Sequence, residues 1–263
     1  MSVRAGILGG MLLWVGAVCA QAQAGEGAVP DYAREARLAE QIVDMIFDGE
    51  PIWLDANQRE FLGIYTEADE PEVAVLILHG RGFHPDWADA VNPLRVELAE
   101  QGYSTLSLQM PVLAKDAKYY DYVPIFGYAH ARIESGIRYL EEQGHERVIL
   151  IAHSCGVHMA MDWLGQVDEP AIDGFVGLGM GATDYGQPMR KPFPLDRLTV
   201  PVLDLYGADE FSAVIRAAPQ RLAQIEAAGN PLSRQVVLPD AEHYFTDRGD
   251  ALVEAVADWL GSL

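Results

Sequence analysis

Ser154 sits in Ala152-His153-Ser154-Cys155-Gly156, directly after an apolar, β-branched run at 148–152 and directly before Val157, Ala160, Met161 and Leu164 at helical spacing. The pattern predicts a strand, a sharp turn and a helix with the serine at the apex. Such a turn brings strand and helix backbones so close that only small residues fit two positions either side, a need that Ala152 and Gly156 meet. A serine held there can attack a carbonyl, provided that a base removes its proton and N–H groups receive the oxyanion.

Two later segments contain the residue types that such a serine needs. Tyr206-Gly207-Ala208-Asp209-Glu210 follows an apolar run at 200–206, and Asp240-Ala241-Glu242-His243-Tyr244-Phe245 follows one at 235–238. Leu78-His79-Gly80-Arg81-Gly82 closes an earlier run at 74–78. Further strands are expected at 104–108 and 174–178, with an antiparallel edge pair at 51–54 and 60–66 around Asp55-Ala56-Asn57.

Segments with one apolar face at helical spacing alternate with these strands. Trp87, Val91, Leu94 and Leu98 follow a candidate cap at Asp86; Ile133, Ile137 and Leu140 precede Gly144. Ile215, Ala218, Leu222 and Ile225 precede Gly229, and Leu252, Val256, Trp259 and Leu260 lie at the C-terminus. A helix carrying Leu38, Ile42, Met45 and Ile46 comes before the first strand. Alternation of this kind predicts an α/β protein, a mainly parallel sheet with helices on both faces and reactive groups at the C-terminal strand ends.

In these motifs and their order the chain resembles the α/β-hydrolase superfamily, and more narrowly an uncharacterised bacterial exported family within it. Ala152 departs from the glycine usual at that position but keeps its small size. The resemblance implies a single α/β-hydrolase domain over 50–263, preceded by an N-terminal helical segment over 25–49. Only about twenty residues separate the strand ending near Leu178 from the next, which leaves no room for a large cap domain. The superfamily order of serine, acid and histidine implies Ser154 as nucleophile, Asp209 as acid and His243 as base, with Glu210 and Asp184 as alternative acids. Its oxyanion hole implies the N–H groups of Cys155 and Arg81, with Gly80 and Gly82 allowing unusual backbone angles. Gly80, Gly82, Phe83, Tyr120 and Phe126 are the expected substrate-binding residues. The cluster Tyr119, Tyr120, Tyr122, Phe126 and Tyr128 either lines a pocket above Ser154 or packs as the base of its loop.

The expected activity is that of an exported serine hydrolase, first a carboxylic ester hydrolase. An amidase or peptidase with the same residues, or a non-catalytic exported binding protein retaining the fold, are the alternatives. No cofactor or metal is expected, because the histidines lack ligand spacing such as H-E-x-x-H. Residues 1–24 read as a signal peptide: Arg4, an apolar run and Ala22-Gln23-Ala24. Its removal would give a periplasmic or secreted chain without stable membrane insertion. It would also remove Cys19, leaving Cys155 with no disulfide partner. The net charge of −21 disfavours nucleic acid as a partner and leaves a small ester or amide as the expected ligand. Oligomeric state is not legible.

Overall fold

The computed structural model describes residues 27–69 and 72–263, so the expected signal at 1–24 lies outside the described residues. Eight strands form one sheet: β1 (Glu50–Ala56), β2 (Arg59–Thr66), β3 (Val73–Leu78), β4 (Ser104–Leu108), β5 (Arg147–His153), β6 (Gly174–Leu178), β7 (Val202–Gly207) and β8 (Arg234–Leu238). Their spatial order is β1-β2-β4-β3-β5-β6-β7-β8, with β2 antiparallel to both neighbours and β3 to β8 mutually parallel. The edge pair turns at Asn57-Gln58 instead of Asp55-Ala56-Asn57. Ala56 pairs with Arg59, and positive φ at both turn residues gives a two-residue hairpin matched to strand twist.

The alternation of side chains along the strands separates two cores. Ala74, Leu76 and Leu78 of β3 meet α4 (Gly127–Glu142) and α5 (Cys155–Leu164) through residues such as Ile133 and Val157. Val75 and Ile77 point oppositely, toward α2 (Val91–Glu100) and α7 (Gly249–Leu260), where Leu94, Leu98, Val256 and Trp259 are buried. Three further helices are α1 (Tyr32–Ile42), α3 (Tyr119–Tyr122) and α6 (Ser212–Ala228). Asp86 does not cap α2, which starts at Val91; its carboxylate accepts from Asn92 and from the buried Arg95. Residues 179–201 between β6 and β7 hold a single 3-10 turn, Leu195–Arg197, and no cap domain.

Helix α1 packs on the antiparallel edge through Ala39 and Ile42 against Leu62 and Ile64. It is also tied to the parallel half by Glu35, whose buried carboxylate accepts from the Arg132 guanidinium at 2.8 Å and from the Val112 N–H at 3.1 Å. Burial pushes the Glu35 carboxyl up despite Arg132. Removing one member of a buried pair strands the other charge, so Glu35→Ala is expected to destabilise the chain by about 3–5 kcal/mol, read from its urea midpoint. An unchanged midpoint would show that Arg132 finds water or another acceptor.

Candidate active site

Ser154 joins β5 to α5 with φ 54° and ψ −115°, a conformation that L side chains rarely adopt. Gly156 makes this turn possible. A Cβ there would lie 2.7 Å from the His79 carbonyl oxygen and 2.8 Å from that of Leu78. The Ser154 Oγ lies 2.7 Å from His243 Nε2, and His243 Nδ1 lies 2.7 Å from Glu210 Oε1. A carboxylate only accepts, so Nδ1 carries the proton and Nε2 is free to accept from the serine hydroxyl. Glu210 Oε1 also accepts the Phe211 N–H at 2.6 Å. Its Oε2 and the His243 ring both stand 3.0 Å from where a Cβ on Gly179 would be, so a side chain at 179 would displace them.

The expected acid, Asp209, is not in this line. Strand β7 continues to Gly207, the Asp209 N–H pairs with the Ala241 carbonyl, and its side chain turns into solvent while Glu210 turns under His243. Asp184 is also elsewhere. It forms a bidentate ion pair with Arg81, accepts the Tyr119 N–H at 2.7 Å and has Lys118 at 3.9 Å. Burial raises its carboxyl, but the hydrogen bonds from Arg81 and the Tyr119 N–H and the charges of Arg81 and Lys118 together outweigh that and hold it below the usual range.

Cys155 opens α5, so its N–H has no carbonyl four residues back within the helix and is available beside Ser154. Its thiol is buried, and burial pushes it up to about 12, which disfavours a thiolate nucleophile. The His79 ring fixes the Gly80-Arg81 loop: Nδ1–H donates to the Gly80 carbonyl at 2.7 Å, and Nε2 accepts from the Met110 N–H at 2.9 Å. Gly82 has the expected positive φ of 73°, whereas Gly80 is needed for closeness, a Cβ there falling 3.2 Å from Ser154 Cβ. The Arg81 guanidinium is engaged by Asp184.

Among the expected binding aromatics, Phe83 is at the site. It stacks on Trp87 at 3.7 Å and meets the edge of Tyr244 at 5.8 Å. Phe126 is fully buried in the core with Tyr119 and Tyr122, so it packs the loop and exposes nothing to a ligand. Tyr120 lies under the Arg190 guanidinium at 3.9 Å and donates its N–H to Gln187, bracing the loop after β6. Two residues escaped the sequence reading. Phe211 stacks on His243 at 4.2 Å, and Tyr244 stands edge-on to it at 5.0 Å. Each directly follows a member of the hydrogen-bonded line, which was the available signal.

His153 donates Nε2–H to the His243 carbonyl at 2.9 Å, tying the histidine loop to the serine turn. His158 donates likewise to the Ala182 carbonyl. Burial pushes His79 and His153 down to about 3 and His158 to about 4, from 6.5. Their neutral forms are the folded forms, so above pH 6.5 they do not alter stability. Below it the unfolded chain takes up protons that the folded chain refuses. Stability should fall by about 1.4 kcal/mol per pH unit for each histidine until its folded value is reached. Thermal unfolding between pH 7 and 5 should show this slope, shallower in His158→Phe; equal slopes would contradict it.

Two surface grooves lie away from this site: about 480 Å³ between α2 and α7, and about 430 Å³ beside the end of α6. Among the described residues, no group of three or more His, Cys, Asp or Glu is placed to hold a metal ion, and no helix is long and apolar enough to cross a membrane.

The strand order and the serine at the turn after β5 define an α/β-hydrolase fold. Solved structures agree. An esterase from Pyrococcus furiosus superposes with TM-score 0.63 at 16% identity, covering 83% of this chain and 94% of that one. Dienelactone hydrolase from Anabaena variabilis gives 0.61 at 16%, covering 82% and 97%. A predicted CIB-like hydrolase from Thermoplasma acidophilum gives 0.59 at 17%, covering 82% and 99%. Identities this low establish the fold alone. The chain belongs to the family described as protein of unknown function, DUF3530, whose model matches residues 17–121 and 128–262. Comparison with curated proteins finds no match.

Proposed function

We propose that this chain is a serine hydrolase, acting first on carboxylic esters, with Ser154 as nucleophile, His243 as base and Glu210 as the acid that orients it. The observation carrying this reading is the continuous line from Ser154 Oγ through His243 to Glu210, with both links at 2.7 Å. A binding protein has no need of a serine in a strained turn donating to a base that is itself held by a buried carboxylate. The similar folds of an esterase and of a dienelactone hydrolase point the same way.

In the first half-reaction the Ser154 proton passes to His243 Nε2 as Oγ bonds to the ester carbonyl carbon. The resulting oxyanion is received by the N–H groups of Cys155 and Arg81. Collapse breaks the bond to the leaving oxygen, which takes the proton from His243, and an acyl-Ser154 remains. Water then repeats the sequence: His243 takes its proton, hydroxide bonds to the acyl carbon, and Ser154 leaves with the proton returned. Glu210 stays ionised and stabilises the imidazolium in both halves.

The test is turnover of p-nitrophenyl butyrate against the matched p-nitroanilide. Ester hydrolysis that greatly exceeds anilide hydrolysis supports the proposal; faster anilide cleavage would make the chain an amidase. No turnover of either by the folded chain would favour a binding protein. Export is part of the proposal and rests on residues 1–24. The mature N-terminus should then be Gly25, read by Edman or mass analysis, whereas retention of Arg4 would contradict cleavage.

A further inference from the structure

Three aromatic rings with accessible surface form a continuous wall that ends on His243. Phe211, 42% exposed, lies nearly parallel to the imidazole at 4.2 Å and 26°. Tyr244 meets Phe211 edge-on at 6.1 Å and His243 at 5.0 Å, and Phe83 continues the wall from Tyr244 at 5.8 Å. Both Tyr244 and Phe83 are half-buried, unlike Tyr119, Tyr122 and Phe126 of the core. The Gly80-Arg81 loop is braced by the Arg81–Asp184 ion pair.

The chemistry of the reaction assigns the two sides. His243 Nε2 must give its proton to the leaving oxygen, so the alcohol portion of an ester lies against the histidine and what surrounds it. The carbonyl oxygen points to the Cys155 and Arg81 N–H groups, and the acyl group takes the remaining direction. Resting on the serine-hydrolase reading, we infer that the Phe83–Tyr244–Phe211 wall is a leaving-group site, and that the preferred substrates are esters of aryl-bearing alcohols. Flat rings pack edge-on or offset against such a wall, and each aromatic pair favours binding beyond its buried area.

Two isomeric esters test this. Benzyl acetate carries its ring on the alcohol and methyl phenylacetate carries it on the acyl group, with the same atoms overall. Wild-type kcat/KM should favour benzyl acetate by about tenfold, the yield of one or two ring contacts. Benzyl acetate should also exceed cyclohexylmethyl acetate, which has the same ring size without the π face. In Phe211→Ala and in Tyr244→Ala the ratio between the two isomers should fall toward one. Fluorophosphonate labelling of Ser154 in the same preparations separates the two possible failures. A labelled wild type with a ratio of one or less, or with a ratio that neither variant moves, overturns this inference alone. An unlabelled wild type overturns the serine-hydrolase reading, and this inference with it.

Discussion

Glu210→Gln is expected to lower kcat by about 10²–10³-fold, whereas Asp209→Asn should stay within about twofold of wild type. The two carboxylates are adjacent in sequence, but only Glu210 reaches His243 Nδ1. The Phe211 N–H shares Oε1 with Nδ1, so it holds the glutamine oxygen at that position and Nδ1–H keeps its acceptor. What the substitution removes is the negative charge that stabilises the imidazolium. Ester kinetics, with circular dichroism to confirm folding, make the comparison. A large loss in Asp209→Asn with a small one in Glu210→Gln would restore the acid expected from sequence.

Ser154→Ala should remove about 10⁶-fold of kcat and leave KM within a few-fold, because ground-state binding does not need the hydroxyl. No neighbouring group replaces it. The Cys155 thiol is adjacent in sequence but buried in the fold, with its ionisation pushed up to about 12. Residual turnover above the uncatalysed rate should reflect only the oxyanion N–H groups and substrate positioning. An Ser154→Ala chain that keeps a tenth of wild-type kcat would show that another nucleophile or a directly activated water does the chemistry.

Much of the fold was legible because parallel strands are buried on both faces and read as continuous apolar runs. The strands at 104–108 and 174–178 coincide with β4 and β6. Ser154 and His243 were legible for another reason: the turn geometry demands small neighbours, and the last strand delivers its loop to the same sheet end. The choice between Asp209 and Glu210 was not legible. It depends on where β7 ends and on which of two consecutive side chains turns inward, and one residue of strand length reverses that. Helix α2 starts later than Asp86 suggests as a cap, because the fold uses that carboxylate to neutralise the buried Arg95. The role of Phe126 could not be read from composition, since a buried ring and a pocket ring are the same letter. Phe211 and Tyr244 are visible as neighbours of Glu210 and His243, but their packing on His243 is a tertiary fact.

The central claim is that Ser154 is an activated nucleophile, and covalent capture tests it most directly. The purified chain, Ser154→Ala and His243→Ala would be treated with a fluorophosphonate, weighed intact and mapped by peptide mass. One adduct on Ser154 in the wild type and none in either variant is the predicted result. A folded wild type that stays unmodified while a reference serine hydrolase reacts in the same buffer, or an adduct on any other residue, would contradict it.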